Sequence, residues 1–177
     1  MATQATILMP SLIQERGTNM DVQRSPIPAA SGQAFKIGAL VKNVSGEAVV
    51  CLTAETLVWG QTPTNAFADG TRPPTSLYNN SVYAFDLQNA VLEINTGKAN
   101  GTDVTLGTST TNSAGACTIG TSYGILVPTT GTYAGVPFLD PTNTTNDVFT
   151  VTGFIAGQDN DDYNSRLYAK LVAAALQ

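Results

Sequence analysis

No histidine occurs anywhere in the 177 residues of this chain. Histidine is the usual general base at neutral pH and a common transition-metal ligand. Its absence excludes Ser-His-Asp and Cys-His nucleophile systems, and most zinc-type sites, in one step. Charge is also scarce. Asp, Glu, Lys and Arg make up 12% of the chain, about half the usual share. The 8 Lys and Arg residues are scattered and the formal net charge is −5. There is no basic cluster to neutralise phosphates, so no nucleic acid partner is expected. No apolar run has the length of a bilayer-spanning helix, so no membrane partner is expected either. The N-terminus, MATQATILMPSLIQER, lacks the early basic residues and long apolar core of a signal peptide. Assembly in a cytoplasm is therefore the expectation. Cys51 and Cys117 are the only cysteines, and in a reducing compartment a disulfide between them is not expected. Cys51, within Val49–Leu52, reads as a small buried hydrophobe.

Motifs that carry chemistry are equally sparse. Gly120-Thr121-Ser122-Tyr123-Gly124 matches the G-x-S-x-G pattern of a nucleophile elbow. That motif needs a strand-to-helix turn and a base for the serine proton. Here Ile-Leu-Val-Pro follows, which reads as strand, so Ser122 reads as an ordinary serine between turn glycines. Lysine could replace histidine as the base, but no S-x-x-K occurs, and Lys36, Lys42, Lys98 and Lys170 have no motif linking them to a serine. Gln158-Asp159-Asn160-Asp161-Asp162 is the one acidic cluster. An EF-hand loop from Asp159 would need Gly at 164 and Glu at 170, where this chain has Asn164 and Lys170. The cluster therefore reads as a solvated turn. No phosphate-cradling glycine loop is present. The N-x-S/T sequons at Asn43, Asn79, Asn100 and Asn143 are expected by chance in a chain this rich in Asn and Thr. No catalytic, cofactor-binding or metal-ligating residue is expected, and no cofactor.

What is present is a β pattern. Thr favours strands, while Asn, Ser and Gly favour turns. In Phe35-Lys36-Ile37-Gly38-Ala39-Leu40-Val41-Lys42, the residues Phe35, Ile37, Ala39 and Val41 fall on one face, with Lys36 and Lys42 on the other. Ser45-Gly46 supplies a turn, Ala48 to Leu52 returns, and a third strand ends at Trp59-Gly60. Trp59 suits either the core or an interface. Residues 61–81, with Pro63, Asp69-Gly70 and Pro73-Pro74, predict a long loop. Further strands are expected at Val82–Leu87, Val91–Ile94, Ile125–Val127 and Asp147–Ala156. The Thr/Gly-rich tract 101–124 suits edge strands or a protruding hairpin. Tyr163, Leu167, Tyr168, Leu171, Val172 and Ala175 form an apolar stripe at helical spacing, which predicts a helix over about 162–176, capped by Asp161 or Asp162. Leu167, Ala169 and Leu171 also alternate, so a terminal strand is the competing reading. Residues 1–33 contain Pro10, Pro26 and Pro28 and little periodicity. They predict an extended arm that docks on a neighbouring subunit. The expected fold is mainly β: one compact antiparallel β-sandwich or barrel over 34–177, with that N-terminal arm and a short C-terminal helix.

The apolar strand reaching "GALV", the short turn, the "GEAVVCLT" return and the following "WG" resemble the small β-domain of tailed-bacteriophage capsid decoration, or cement, proteins. The resemblance implies a structural virion protein and not an enzyme. It would bind the major capsid protein on the outer capsid surface, stabilise the shell, and form a homo-oligomer, trimer or dimer. Localisation would be the virion, assembled in the host cytoplasm. The extra length of this chain leaves a head-fibre base or tail protein open. A carbohydrate-binding or adhesin-like β-domain is the alternative from another class, with Tyr78, Tyr123 and Tyr133 as stacking platforms.

Overall fold

The computed structural model describes residues 4–8, 11–13, 27–31, 38–62, 84–88, 90–100, 103–105 and 110–177, with isolated positions between them. The strands are β1 (Ser11–Ile13), β2 (Ile27–Pro28), β3 (Leu40–Val44), β4 (Glu47–Val50), β5 (Gly60–Gln61), β6 (Ser81–Val82) and β7 (Val91–Asn95). They continue with β8 (Lys98–Asn100), β9 (Asp103–Thr105), β10 (Ser122–Tyr123), β11 (Ile125–Leu126), β12 (Phe138–Leu139), β13 (Phe149–Phe154) and β14 (Arg166–Leu171). Helical structure among the described residues is confined to single 3-10 turns at Thr110–Asn112, Ala114–Ala116 and Ala173–Ala175. The protein is mainly β, and every pairing between these strands is antiparallel.

The expected C-terminal helix does not form. Its place is taken by β14, the middle strand of the five-stranded sheet ordered β1-β7-β14-β13-β10. Leu167 lies opposite Ile94, and Ala169 lies opposite both Leu92 and Val151. Both inward residues are fully buried, while Arg166, Tyr168 and Lys170 on the other face are half-buried. The period-2 set therefore wins over the stripe at 3 and 4. A single amphipathic helix would bury one stripe, whereas the strand gains a ladder on each side and a packed face. The Asp161/Asp162 region, expected as a helix cap, forms the connection from β13 to β14 instead.

Two circuits of pairing close on themselves. In the first, β7 pairs β14, β14 pairs β13, and β13 pairs β10. The chain runs on from β10 through Gly124 into β11, which pairs β12, and Leu139 of β12 bridges to Thr96 just past β7. In the second, β4 pairs β3, β3 pairs β5, and Gln61 of β5 exchanges two backbone hydrogen bonds with Phe85, just past β6. β6 pairs β2, and Ala29 after β2 bridges to Ala48 of β4. Each circuit encloses its own cluster. The larger holds Leu92, Ile94, Ile125, Leu139, Phe149, Val151 and Leu167, and the smaller holds Phe35, Val41, Ala48, Trp59, Val82 and Ala84. Where β11 meets β12, Ile125 and Leu139 face the larger core. Leu126 and Phe138 face outward onto Val104 of the β8–β9 hairpin.

The β4-β3-β5 sheet stands between the two cores. Leu40, Cys51 and Val58 face the larger one, while Val41, Ala48 and Trp59 face the smaller. A sheet buried on both sides should read as a near-continuous apolar run, and Ala39-Leu40-Val41 and Val49-Val50-Cys51 are such runs. The expected one-sided strand from Phe35 thus begins only at Leu40, because Gly38 takes a positive φ of 77° in a turn. The Ser45-Gly46 turn is as expected. Both residues have positive φ, 53° and 89°, the conformation that suits a two-residue hairpin loop.

The described pieces of 1–33 lie against this same chain. Gln4 bridges to Tyr163, β1 extends the large sheet at β7, and β2 belongs to the smaller circuit. Of the expected loop 61–81, Gln61 and Ser81 sit in strands, and 63–80 lies outside the described residues.

Because one sheet serves both cores, the two should not unfold separately. Urea unfolding followed by Trp59 fluorescence, which senses the smaller core, should coincide with far-ultraviolet circular dichroism, which senses all the strands. Leu40→Ala should lower stability by about 2–5 kcal/mol and shift both transitions together. Two separated transitions in the native protein would show that the cores are independent.

Candidate functional site

Three polar dipeptides, Asn95-Thr96, Asn112-Ser113 and Asn164-Ser165, meet at one end of the large sheet. All of these side chains are at most 1% exposed. Burying amides and hydroxyls is unfavourable unless they find partners, and the side chains of Asn95, Thr96, Asn164 and Ser165 find them. Thr96 Oγ1–H is shared between the carbonyls of Asn112 and Ser165, at 2.8 and 3.0 Å. Asn164 N–H donates to the Asn112 carbonyl at 2.8 Å, and its Nδ2 donates to the Thr96 carbonyl at 3.0 Å. Ser165 Oγ accepts from Ala114 N–H at 2.7 Å and donates to the Asn160 carbonyl at 3.0 Å. Asn164 has a φ of 56°, a left-handed conformation that asparagine tolerates better than most residues.

Asn95 turns this knot into a receptor for the N-terminal segment. Its Nδ2 donates to the carbonyls of Asn164, at 2.6 Å, and Thr6, at 3.0 Å. Its Oδ1 accepts from Leu8 N–H at 3.0 Å. Nearby, Ala5 N–H donates to the Tyr163 carbonyl at 2.8 Å. Further along, β1 pairs with β7 from Ser11↔Glu93 to Ile13↔Val91. Residues 4–8 and β1 thus make main-chain bonds along one strand edge and to one buried amide. Sequence reasoning missed the knot because Asn and Ser read as turn residues and Thr as an ordinary strand residue. The available signal was three Asn-Ser or Asn-Thr pairs, two of them directly beside the apolar strands β7 and β14.

A second feature lies at the turn end of the shared sheet. Gln177 wedges between Asn43 and Val58: Asn43 N–H donates to Gln177 Oε1 at 2.7 Å, Gln177 Nε2 donates to the Asn43 carbonyl at 3.1 Å, and Gln177 N–H donates to the Val58 carbonyl at 3.0 Å. The 52–57 connection is tied to β3 by the Lys42–Glu55 ion pair at 2.5 Å. Val44, beside the turn, is exposed, and so are Leu57 and, past the opposite end of β4, Leu52, the last to 49%. Ile119, in the turn before β10, is exposed to 54%.

The other residues singled out in the sequence have structural settings. Ser122 sits in β10, with Oγ 2.8 Å from Thr150 Oγ1 on the paired strand. Tyr123, expected as an exposed platform, is buried, and its hydroxyl accepts from Thr118 N–H at 2.9 Å. Tyr133 is half-buried, edge-on to Phe138 at 6.3 Å, and Tyr78 lies outside the described residues. Trp59 is core. In the acidic turn, Asp159 Oδ1 accepts from Asp161 N–H at 3.0 Å. Gln158 pairs its side-chain amide with both backbone groups of Arg166, at 2.7 and 3.1 Å. No group of three or more metal-ligating side chains occurs among the described residues. Cys51 and Cys117 are free and buried in the larger core. Burial raises each thiol from the ordinary 9.0 to about 12, with Glu55 adding to the rise at Cys51 and Asp140 at Cys117.

Two predictions follow from these settings. Ser165→Ala strips the buried Ala114 N–H of its acceptor and should lower stability by about 1–3 kcal/mol, whereas Ser122→Ala should change it by no more than about 0.5 kcal/mol. Equal losses in chemical denaturation would refute the distinction. The thiols set an alkaline limit. A folded pKa above the unfolded one stabilises the protein fully below the unfolded value, and this is lost as pH rises towards the folded value. Stability should therefore fall between pH 9 and about 12, and Cys51→Ala/Cys117→Ala should flatten that part of the profile.

No protein-family model, curated protein or solved structure matches this chain, so its function is argued from its own residues and geometry.

Proposed function

We propose that this chain is a structural virion protein of a tailed bacteriophage, a decoration or cement protein that binds the outside of the capsid and stabilises the shell. On this reading it is not an enzyme, its partner is the major capsid protein, and it acts as a trimer or dimer. Its β-domain is a sandwich or barrel, and the two closed circuits of pairing favour the barrel form.

The observation that carries the reading is the exposure of the apolar side chains Val44, Leu52 and Leu57 on and beside the shared sheet. The sheet is braced by the Lys42–Glu55 pair and the Gln177 wedge. Apolar side chains on a rigid frame can dock with little ordering cost. A patch of this size contributes only about 25 cal/mol per Å² buried, so one copy would bind weakly. A trimer or dimer facing a symmetric lattice multiplies weak contacts through effective concentration. The inert thiols and the engaged Ser122 hydroxyl fit a role in contacts and not in bond chemistry. The carbohydrate reading loses one of its platforms with Tyr123 inside the fold. A head-fibre base or tail protein would use the same kind of contacts and differs in the partner bound.

Purified protein mixed with undecorated shells should co-sediment with them and raise the temperature at which they rupture. Leu52→Asp/Leu57→Asp should weaken shell binding by about tenfold or more, equivalent to roughly 1.4 kcal/mol, and leave thermal unfolding of the free protein nearly unchanged. Binding to glycans with no affinity for shells would sink the proposal.

A further inference from the structure

We propose that the edge of β7, with Asn95 and the Tyr163 carbonyl, is a strand-receiving site that takes residues 4–13 from a second copy of this chain. The inference deepens the shell-binding reading, which supplies the close packing of copies that favours exchange.

The site is incomplete without its strand. Asn95 is fully buried. Its Oδ1 accepts from Leu8 N–H, and one of its amide hydrogens goes to the Thr6 carbonyl. Removing the strand would leave these groups without their protein partners and open the β7 edge. The contacts that hold the segment are main-chain bonds at Ala5, Leu8 and β1, with Ile7 packing at the margin of the small outer cluster. Such contacts are the same whether the segment comes from this copy or another. No strand pairs with β1 on its outer side among the described residues.

The connection permits the exchange. β1 belongs to the large sheet and β2 to the smaller circuit, so residues 14–26 join two different sheets. Thirteen residues reach up to about 45 Å when extended, far enough to cross to a neighbouring copy. Swapping an identical element is a low-cost route to symmetric oligomers, because the bonds made in trans equal those lost in cis.

The test uses full-length chains and no shells. One variant carries Ser11→Cys and a second carries Glu93→Cys, since these positions face each other across the ladder and opposed residues on antiparallel strands lie within disulfide range. The native thiols are buried, with pKa values of about 12, so they should not compete. Mixed, concentrated and oxidised, the two variants should give a covalent heterodimer that reduction dissolves. Arg166 forms an ion pair with Glu93 at 2.5 Å, so Gln4→Cys with Tyr163→Cys is an independent pair, should loss of that contact impair folding. A mixture that stays monomeric, while Ser11→Cys/Glu93→Cys on one chain closes internally, would overturn the proposal. That failure would leave shell binding untouched, and a chain that cross-links yet ignores shells would sink only the other reading.

Discussion

The buried hydrogen-bonded knot of Asn95, Thr96, Asn112, Ser113, Asn164 and Ser165 is where the long-range connections of this fold meet. It joins the N-terminal segment, the end of β7, the two 3-10 turns at 110–116 and the turn before β14. Each is held by amide and hydroxyl groups that would lose solvation without gaining a partner if the geometry shifted. Buried polar networks are demanding in this sense, because a shift in geometry costs several groups their partners at once. The knot thus fixes the end of β7 against β14, and that register places Leu92 opposite Ala169 and Ile94 opposite Leu167. The larger core depends on that register, because a one-residue slip would turn every inward side chain outward.

The shared sheet solves a different problem. Each circuit is small, and a small closed set of short strands buries little apolar surface of its own. With Leu40, Cys51 and Val58 facing one way and Val41, Ala48 and Trp59 the other, the same backbone contributes to both clusters. Both chain ends strengthen this arrangement. Gln177 completes the edge between Asn43 and Val58, and the Ala29–Ala30 segment lies along β4, with Gln33 Oε1 accepting from Val50 N–H at 3.0 Å. Strand edges that would otherwise be open to other chains are tied off in this way.

Much of the fold was legible in the sequence. The Ser45-Gly46 hairpin, the strands near 91–94, 125–127 and 149–154, and the burial of Trp59 follow from alternation, turn chemistry and side-chain size. The C-terminal element was not, because residues 163–175 satisfy two periods at once. Local spacing cannot rank a stripe at 3 and 4 against an alternation of Leu167, Ala169 and Leu171. The choice is made by β7 and β13, which lie far away in the sequence and offer a ladder on each side. Long-range pairing overrides local preference in this way wherever a strand is central. The knot was illegible for a related reason. Asn-Ser or Asn-Thr pairs occur five times in this chain, at Asn80, Asn95, Asn112, Asn143 and Asn164, and only the fold reveals which of them are buried together.

The same argument bears on the N-terminal segment. Its lack of periodicity suggested an arm that leaves the domain, and yet its main chain supplies partners to a buried amide. These observations are compatible. A segment recognised through its backbone needs no apolar stripe. What the site demands is an extended stretch of N–H and C=O groups of the right length, and a sequence carrying such a stretch looks featureless. A chain with few charges and many Asn and Thr residues can therefore place specific recognition in its least patterned region. The specificity resides in Asn95 and the edge of β7, not in the strand that fills them.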